Sequence, residues 1–374
     1  MIAMFPMDMS ADGAFYAVLY VLTWVIHAAL AAYVLAGTGY IAVTDVRVRS
    51  AAADGQRGES DATVVGVLRD WMPFALGVAI TAGVAPLLFV QVLYKHAFYT
   101  ANLLLFHRWM ALLPVLIVGF YLLYLVKTGW YQRSVGRRWW VTVPAFACFL
   151  FTAYSWAENH LLSLASQDQW TRFYADRRNF FVDLRLVVRL IMWSGGAVGI
   201  MLLIVGWQLR GLIRRSGALV GQNAIRASRV ALVSLVIGAI AAVAYSVMDA
   251  AWREQVLGDA MVYAIIALIG GVAQTIGWLR IGRRGVLAGL DLSIASIGAV
   301  LTLVAVAAVR ESVRVAALQP SQQADHLRDV AANGGWITFL SFAAANAIVI
   351  TACAIAVRRG LRRELIKRAA IAEQ

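Results

Sequence analysis

The chain has 374 residues, of which 61% are hydrophobic and 14% charged, with a mean hydropathy of +0.74 and a formal charge of +13. A soluble domain carries about a quarter charged residues, so the composition excludes one and points to an integral membrane protein. Apolar runs of about 20 residues recur without period-2 alternation, which sets aside a barrel in favour of helices.

The positive charge invites a nucleic-acid reading, but the basic residues sit at the ends of apolar runs. That is the pattern of membrane topology signals, and no nucleic-acid partner is expected. Only Cys148 and Cys353 are present. Both lie inside apolar runs, too scattered for a disulfide framework, a zinc site or an iron–sulfur cluster. No CxxCH occurs, so no covalently attached haem is expected. The opening MIAMFPMDMSADG lacks a positive n-region and a cleavage signature, so it does not read as a removable signal peptide.

Nine runs are long enough to span a bilayer, at about 14–43, 72–95, 99–126, 139–161, 184–208, 228–250, 259–279, 285–309 and 336–357. Charge in the connections tests this count. Segments 44–71, 127–138, 209–229, 280–284 and 358–368 hold 22 Lys and Arg, whereas the alternate segments hold 9. The alternation predicts nine helices in a single all-α membrane domain over 1–374. Its N-terminus lies outside and its C-terminus in the cytoplasm, in a membrane of the bacterial inner type.

Taken in order, the chain divides unevenly. Helices one to four (14–161) hold four of the five histidines and the four prolines Pro73, Pro86, Pro114 and Pro144. They form the expected functional half. A tight turn at Lys95 to Phe98 should join helices two and three as antiparallel neighbours bent at Pro86 and Pro114. Segment 162–183 mixes charge with Trp170, Phe173, Tyr174, Phe180 and Phe181. It reads as a helix lying at the outer interface with its aromatic face on the headgroups. Helices five to nine (184–374) are rich in small residues such as Gly270-Gly271 and read as scaffold or subunit interface. Segment 310–335 should extend helix eight before a turn at Pro320 or Asn333-Gly334-Gly335. No internal repeat links the halves, so the inverted-repeat signature of many transporters is missing.

The stretch 71–110 is the richest in polar groups set into apolar sequence. With the N-terminus outside, His27 lies about 20 Å and His107 about 12 Å from the outer ends of helices one and three at a 1.5 Å rise. His96 and His160 fall at the outer surface. Imidazoles on facing helices are the usual ligands of b-type haem. The expectation is that His27 and His107 face the interior as haem-iron ligands, with Arg108 or Arg189 on the propionates. The plainer alternative has the same histidines bonding backbone or headgroup. Gln91, Tyr94, His96, Tyr99 and Asn102 cluster at the turn after helix two, where they suit a quinone head or, equally, a polar outer turn. Asp291 should pair with Arg283 or Arg284, since intramembrane carboxylates normally find a partner.

No spacing matches a zinc protease, a P-loop, a nucleotide fold or a nucleophile elbow, and no catalytic residue is assigned. The sequence-level expectation is therefore a non-catalytic membrane subunit of an electron-transfer complex. It would sit in the lipid bilayer, anchor redox partner subunits at the outer face, and bind haem b or quinol. Two alternatives stand beside it. One is a small-solute transporter or channel using the proline-bearing helices; the other is a cofactor-free structural subunit.

Overall fold

The computed structural model describes residues 11–53, 62–133, 137–216 and 221–318, with nine helical positions between 340 and 355. Among these residues there is no strand. Twelve helices follow one another: α1 (Ala11–Ala53), α2 (Ala62–Leu93), α3 (Lys95–Leu104), α4 (Phe106–Val126), α5 (Gly129–Arg133), α6 (Trp139–Ser163), α7 (Gln167–Ala175), α8 (Leu184–Ser216), α9 (Gly221–Met248), α10 (Ala250–Leu257), α11 (Met261–Arg284) and α12 (Gly289–Ala317).

Eight of them, α1, α2, α4, α6, α8, α9, α11 and α12, are long and apolar enough to cross a membrane. In each, only 22% to 44% of the most apolar stretch is buried within the protein, so most of that surface must meet another apolar medium. Bilayer lipid provides it, whereas water would leave apolar patches far beyond those of a soluble monomer. The chain is thus a helical bundle of the membrane. Much of the ninth expected span, 336–357, lies outside the described residues, as do Pro320 and Asn333-Gly334-Gly335. The chain divides into units 1–323 and 324–374, and the described positions of the second are helical.

One expectation on local structure is corrected, and one is met in part. Lys95 to Phe98 is not a turn but the start of the ten-residue helix α3, so the third span begins at Phe106 rather than near residue 99. The hairpin between the second and third spans is opened by α3, and α4 packs chiefly on α6. Segment 162–183 does contain a helix, α7, and Ser166 caps it. The Ser166 hydroxyl accepts from the Gln169 amide while the Gln169 side chain accepts from the Ser166 amide. This capping box satisfies two of the orphan donors at a helix start. Yet the aromatic face of α7 turns partly onto protein. Phe173 is buried on Ala101, Leu105 and Leu162, and the Trp170 indole donates to the Leu162 carbonyl at 2.7 Å. A buried backbone acceptor at the end of α6 claims the indole that a headgroup would otherwise take.

The helix α1 is the hub, packing on α2, α6, α8 and α12. Elsewhere the small residues bring backbones into contact, as lipid-embedded helices require when no hydrophobic force drives them together. A Cβ on Gly270 of α11 would stand 2.6 Å from the Gly298 carbonyl oxygen of α12, and one on Gly298 would stand 2.5 Å from the Gly270 oxygen. Gly271 faces open space. The last turn of α11 closes through Gly285 at φ 62°, the left-handed conformation that spares glycine a steric cost.

Charges fasten the bundle at the end where α1 finishes. Asp45, 2% exposed, accepts from Arg69 at 3.3 Å, from Thr142 at 3.1 Å and from the Tyr131 hydroxyl. Burial, helped by the carboxylate, pushes the Tyr131 hydroxyl above its usual range, so it stays a donor. Asp291 pairs with Arg284 at 3.0 Å, as expected, and with Arg280 at 2.6 Å rather than Arg283.

Candidate functional site

The opposite end of the bundle, where α1 begins, holds a second polar cluster, and it is the more deeply buried. Two helices supply its arginines in pairs. Arg185 and Arg189 are four apart on α8, and Arg310 and Arg314 are four apart on α12, so each pair shares one helix face. Glu311 lies between the α12 pair and is fully buried. It accepts from Arg310 at 3.1 Å, from Arg314 at 3.3 Å and from the Tyr94 hydroxyl at 2.9 Å.

Aromatic residues from other helices close around these cations. The Tyr20 hydroxyl of α1 accepts from Arg310 at 3.0 Å and from Arg314 at 3.3 Å. Arg310 lies over the Trp24 ring at 4.1 Å, and Arg314 over the Tyr94 ring at 4.5 Å. Such contacts favour guanidinium over a compact ammonium in a place short of water. Burial, reinforced by the Glu311 carboxylate, pushes the Tyr94 hydroxyl well above its usual range, which holds it as a donor to Glu311.

His160 at the end of α6 completes this half. Its Nδ1 meets Arg314 Nη2. An arginine can only donate, so Nδ1 accepts and the ring proton rests on Nε2. That Nε2 is buried and has no hydrogen-bond partner among the described residues. Arg189 is 2% exposed, lies 4.9 Å from the Tyr245 ring centre, and has an equally buried, unpartnered Nη1. Asp249 caps α10 through the Trp252 amide at 3.0 Å, and accepts from Tyr245 at 3.1 Å and Arg185 at 3.3 Å. Arg185 is also held by Asp183 at 2.6 Å.

Beside the cluster, Arg108 Nη1 donates to Glu158 at 2.7 Å and lies 4.2 Å from the Phe180 ring. The other Glu158 oxygen accepts from the Phe181 amide at 2.7 Å. One carboxylate on α6 thus fixes both α4 and the segment leading into α8.

The residues singled out from sequence are divided by this arrangement. His160 and Arg189 enter the cluster, and Arg108 enters its neighbour. His27 is half-buried between α1 and α2, where its Nδ1 bonds the Ala79 carbonyl at 3.0 Å. A Cβ on Gly83 would be 2.8 Å from that ring, so the missing side chain makes room for the imidazole. His107 is exposed on α4, and α4 is not among the main neighbours of α1. The expected inward orientation of His107 is therefore corrected: its side chain is exposed, while His27 is turned to the α2 backbone. The expected quinone group also separates. Tyr94 turns inward to Glu311, and Asn102 accepts from Asn159. His96 and Tyr99 are exposed, and Gln91 is half-buried. Among the described residues no three His, Cys, Asp or Glu are grouped so as to hold a metal ion.

The sequence places Arg310, Glu311 and Arg314 on an extension of the span, as the structure does, but gives them no part in a site. The signal was present: an Arg-Glu-x-x-Arg pattern continuing a span without interruption, with both cations on one face. Compared with known protein families, with curated proteins and with solved structures, the chain matches none.

Proposed function

We propose that this chain handles a small solute, as a membrane transporter or channel, and that the buried arginine cluster is its solute site. The observation that carries the reading is the number of helices spent on one buried polar knot. Tyr20, His160, Arg189, Tyr245 and the Arg310–Glu311–Arg314 group come from α1, α6, α8, α9 and α12. Buried ion pairs are weak devices for stability, since desolvation offsets most of their attraction. Charges set among membrane spans are by default functional, marking solute or proton pathways.

The electron-transfer reading has less to draw on. It called for two converging imidazoles, and His27 is committed to the α2 backbone while His107 lies on an exposed face. A quinol or haem would have to be seated on other groups. In either reading the bacterial cytoplasmic membrane is the proposed location, because the chain builds helical spans with basic ends.

Reconstituted into liposomes, the full chain should let at least one of a panel of labelled small solutes enter faster than it enters protein-free vesicles. The panel spans inorganic ions, carboxylates, amino acids and sugars. Uptake indistinguishable from empty vesicles across the panel overturns the proposal.

A further inference from the structure

The charges of the cluster do not balance. Among the described residues, Arg185, Arg189, Arg310 and Arg314 face Asp183, Asp249 and Glu311, so four guanidinium groups meet three carboxylates. Asp183 is committed to Arg185, and Glu311 is divided between Arg310 and Arg314. The cation left with the weakest counter-charge is Arg189, which has an aromatic ring and, among the described residues, no carboxylate in hydrogen-bond contact. His160 adds no negative charge, and its ring stands beside Arg314, Arg189 and Arg310.

Two unbonded atoms belong to residues of this cluster that feel one another's field. Arg189 Nη1 and His160 Nε2 both carry hydrogens, both are sealed from solvent, and neither has an acceptor among the described residues. A buried donor without an acceptor costs about 1–3 kcal/mol, more when it is charged. Two such donors beside one surplus positive charge describe a missing acceptor of charge minus one.

Resting on the reading of this cluster as the solute site, we infer that it takes one small monovalent anion, a halide or a carboxylate head, held by Arg189 and His160. One surplus charge sets the valence, because a divalent anion would replace a buried positive excess by a negative one. Smallness follows from the seal over both donors. The two guanidinium and imidazole N–H groups suit either anion, since each offers a charged or polar hydrogen and no acceptor.

The test uses the full chain in nanodiscs of zwitterionic lipid, at constant ionic strength. Sodium HEPES serves as the bulky reference anion and is replaced stepwise by sodium chloride or sodium acetate, while thermal unfolding is followed by tryptophan fluorescence. A ligand of the native state raises Tm in a saturable way. The expected result is a rise of several degrees that saturates with chloride, acetate or both; the effective ion identifies the source. Arg189→Gln removes the surplus charge, so it should abolish the anion dependence and raise Tm in HEPES alone. No saturable dependence in wild type overturns the inference. So does an Arg189→Gln protein that is less stable in HEPES and keeps its response, which is the behaviour of an ordinary paired arginine. If Arg189→Gln fails to fold, His160→Gln replaces it and should weaken the anion response severalfold. Anion binding by a protein that moves no solute would leave this inference standing and sink the transport reading. Solute flux without any anion effect would do the reverse.

Discussion

Glu311→Ala should be the most damaging single substitution in the described bundle. Glu311 is fully buried and is the only carboxylate, among the described residues, in contact with Arg310 and Arg314. Removing it leaves two cations that are 10% and 7% exposed without their counter-charge, and the Tyr94 hydroxyl without its acceptor. Truncating one partner of a buried pair typically costs about 3–5 kcal/mol, because the charge left behind remains desolvated. Two stranded cations place this variant at the upper end of that range. The expected outcome is loss of monodisperse protein on extraction, or a Tm far below wild type. Glu311→Gln should recover part of the loss, since its amide oxygen still accepts from Tyr94 while the charge is gone. Equal stability of Glu311→Ala and wild type would contradict the contacts described.

Asp45→Ala carries the second largest expected effect, at the other end of the bundle. Asp45 joins α1 to Arg69 of α2, Tyr131 of α5 and Thr142 of α6. The Arg69 side chain is 19% exposed and can recover solvation, so its loss is discounted. Tyr131 is fully buried and its protonated hydroxyl would lose its acceptor. A buried hydroxyl so stranded, with one weakened ion pair, gives about 2–4 kcal/mol of destabilisation. Thermal unfolding in detergent measures it. Because this knot is remote from the arginine cluster, solute uptake per folded molecule should be unchanged. A loss of uptake in folded Asp45→Ala protein would show that the two ends are coupled.

The sequence made the class and most spans readable, because apolar runs of membrane length have few other uses. It also made Asp291 readable: a carboxylate near Arg283 and Arg284 at the end of an apolar run must find a partner, and it found Arg284, with Arg280 besides. The side on which His107 points was not readable. The helix α4 is apolar around its whole circumference, so no stripe of polar residues marks an inward face. His27 could be placed at depth, but nothing local announces that its ring fits over Gly83, fifty-six positions along the chain by number and adjacent only after folding. The arginine cluster was hidden for a different reason. Charges near the ends of spans usually set topology, and Arg185, Arg310 and Arg314 were absorbed into that pattern. Only packing shows that α12 carries its charged turns into the protein rather than into water. The helix α3 was missed because a short segment of mixed polarity between two apolar runs looks like a turn whatever its backbone does.

In the proposed function, solute passes by the arginine cluster and not by the exposed His107. Uptake into liposomes carrying His160→Gln or His107→Ala protein, normalised to folded chain, tests it most directly. Loss of a bond made to the solute at its site is worth about 1.4 kcal/mol for each tenfold change. His160→Gln should lower uptake at least ~10-fold, and His107→Ala should leave it unaltered. Unaltered uptake in His160→Gln, with uptake lost in His107→Ala, would contradict it.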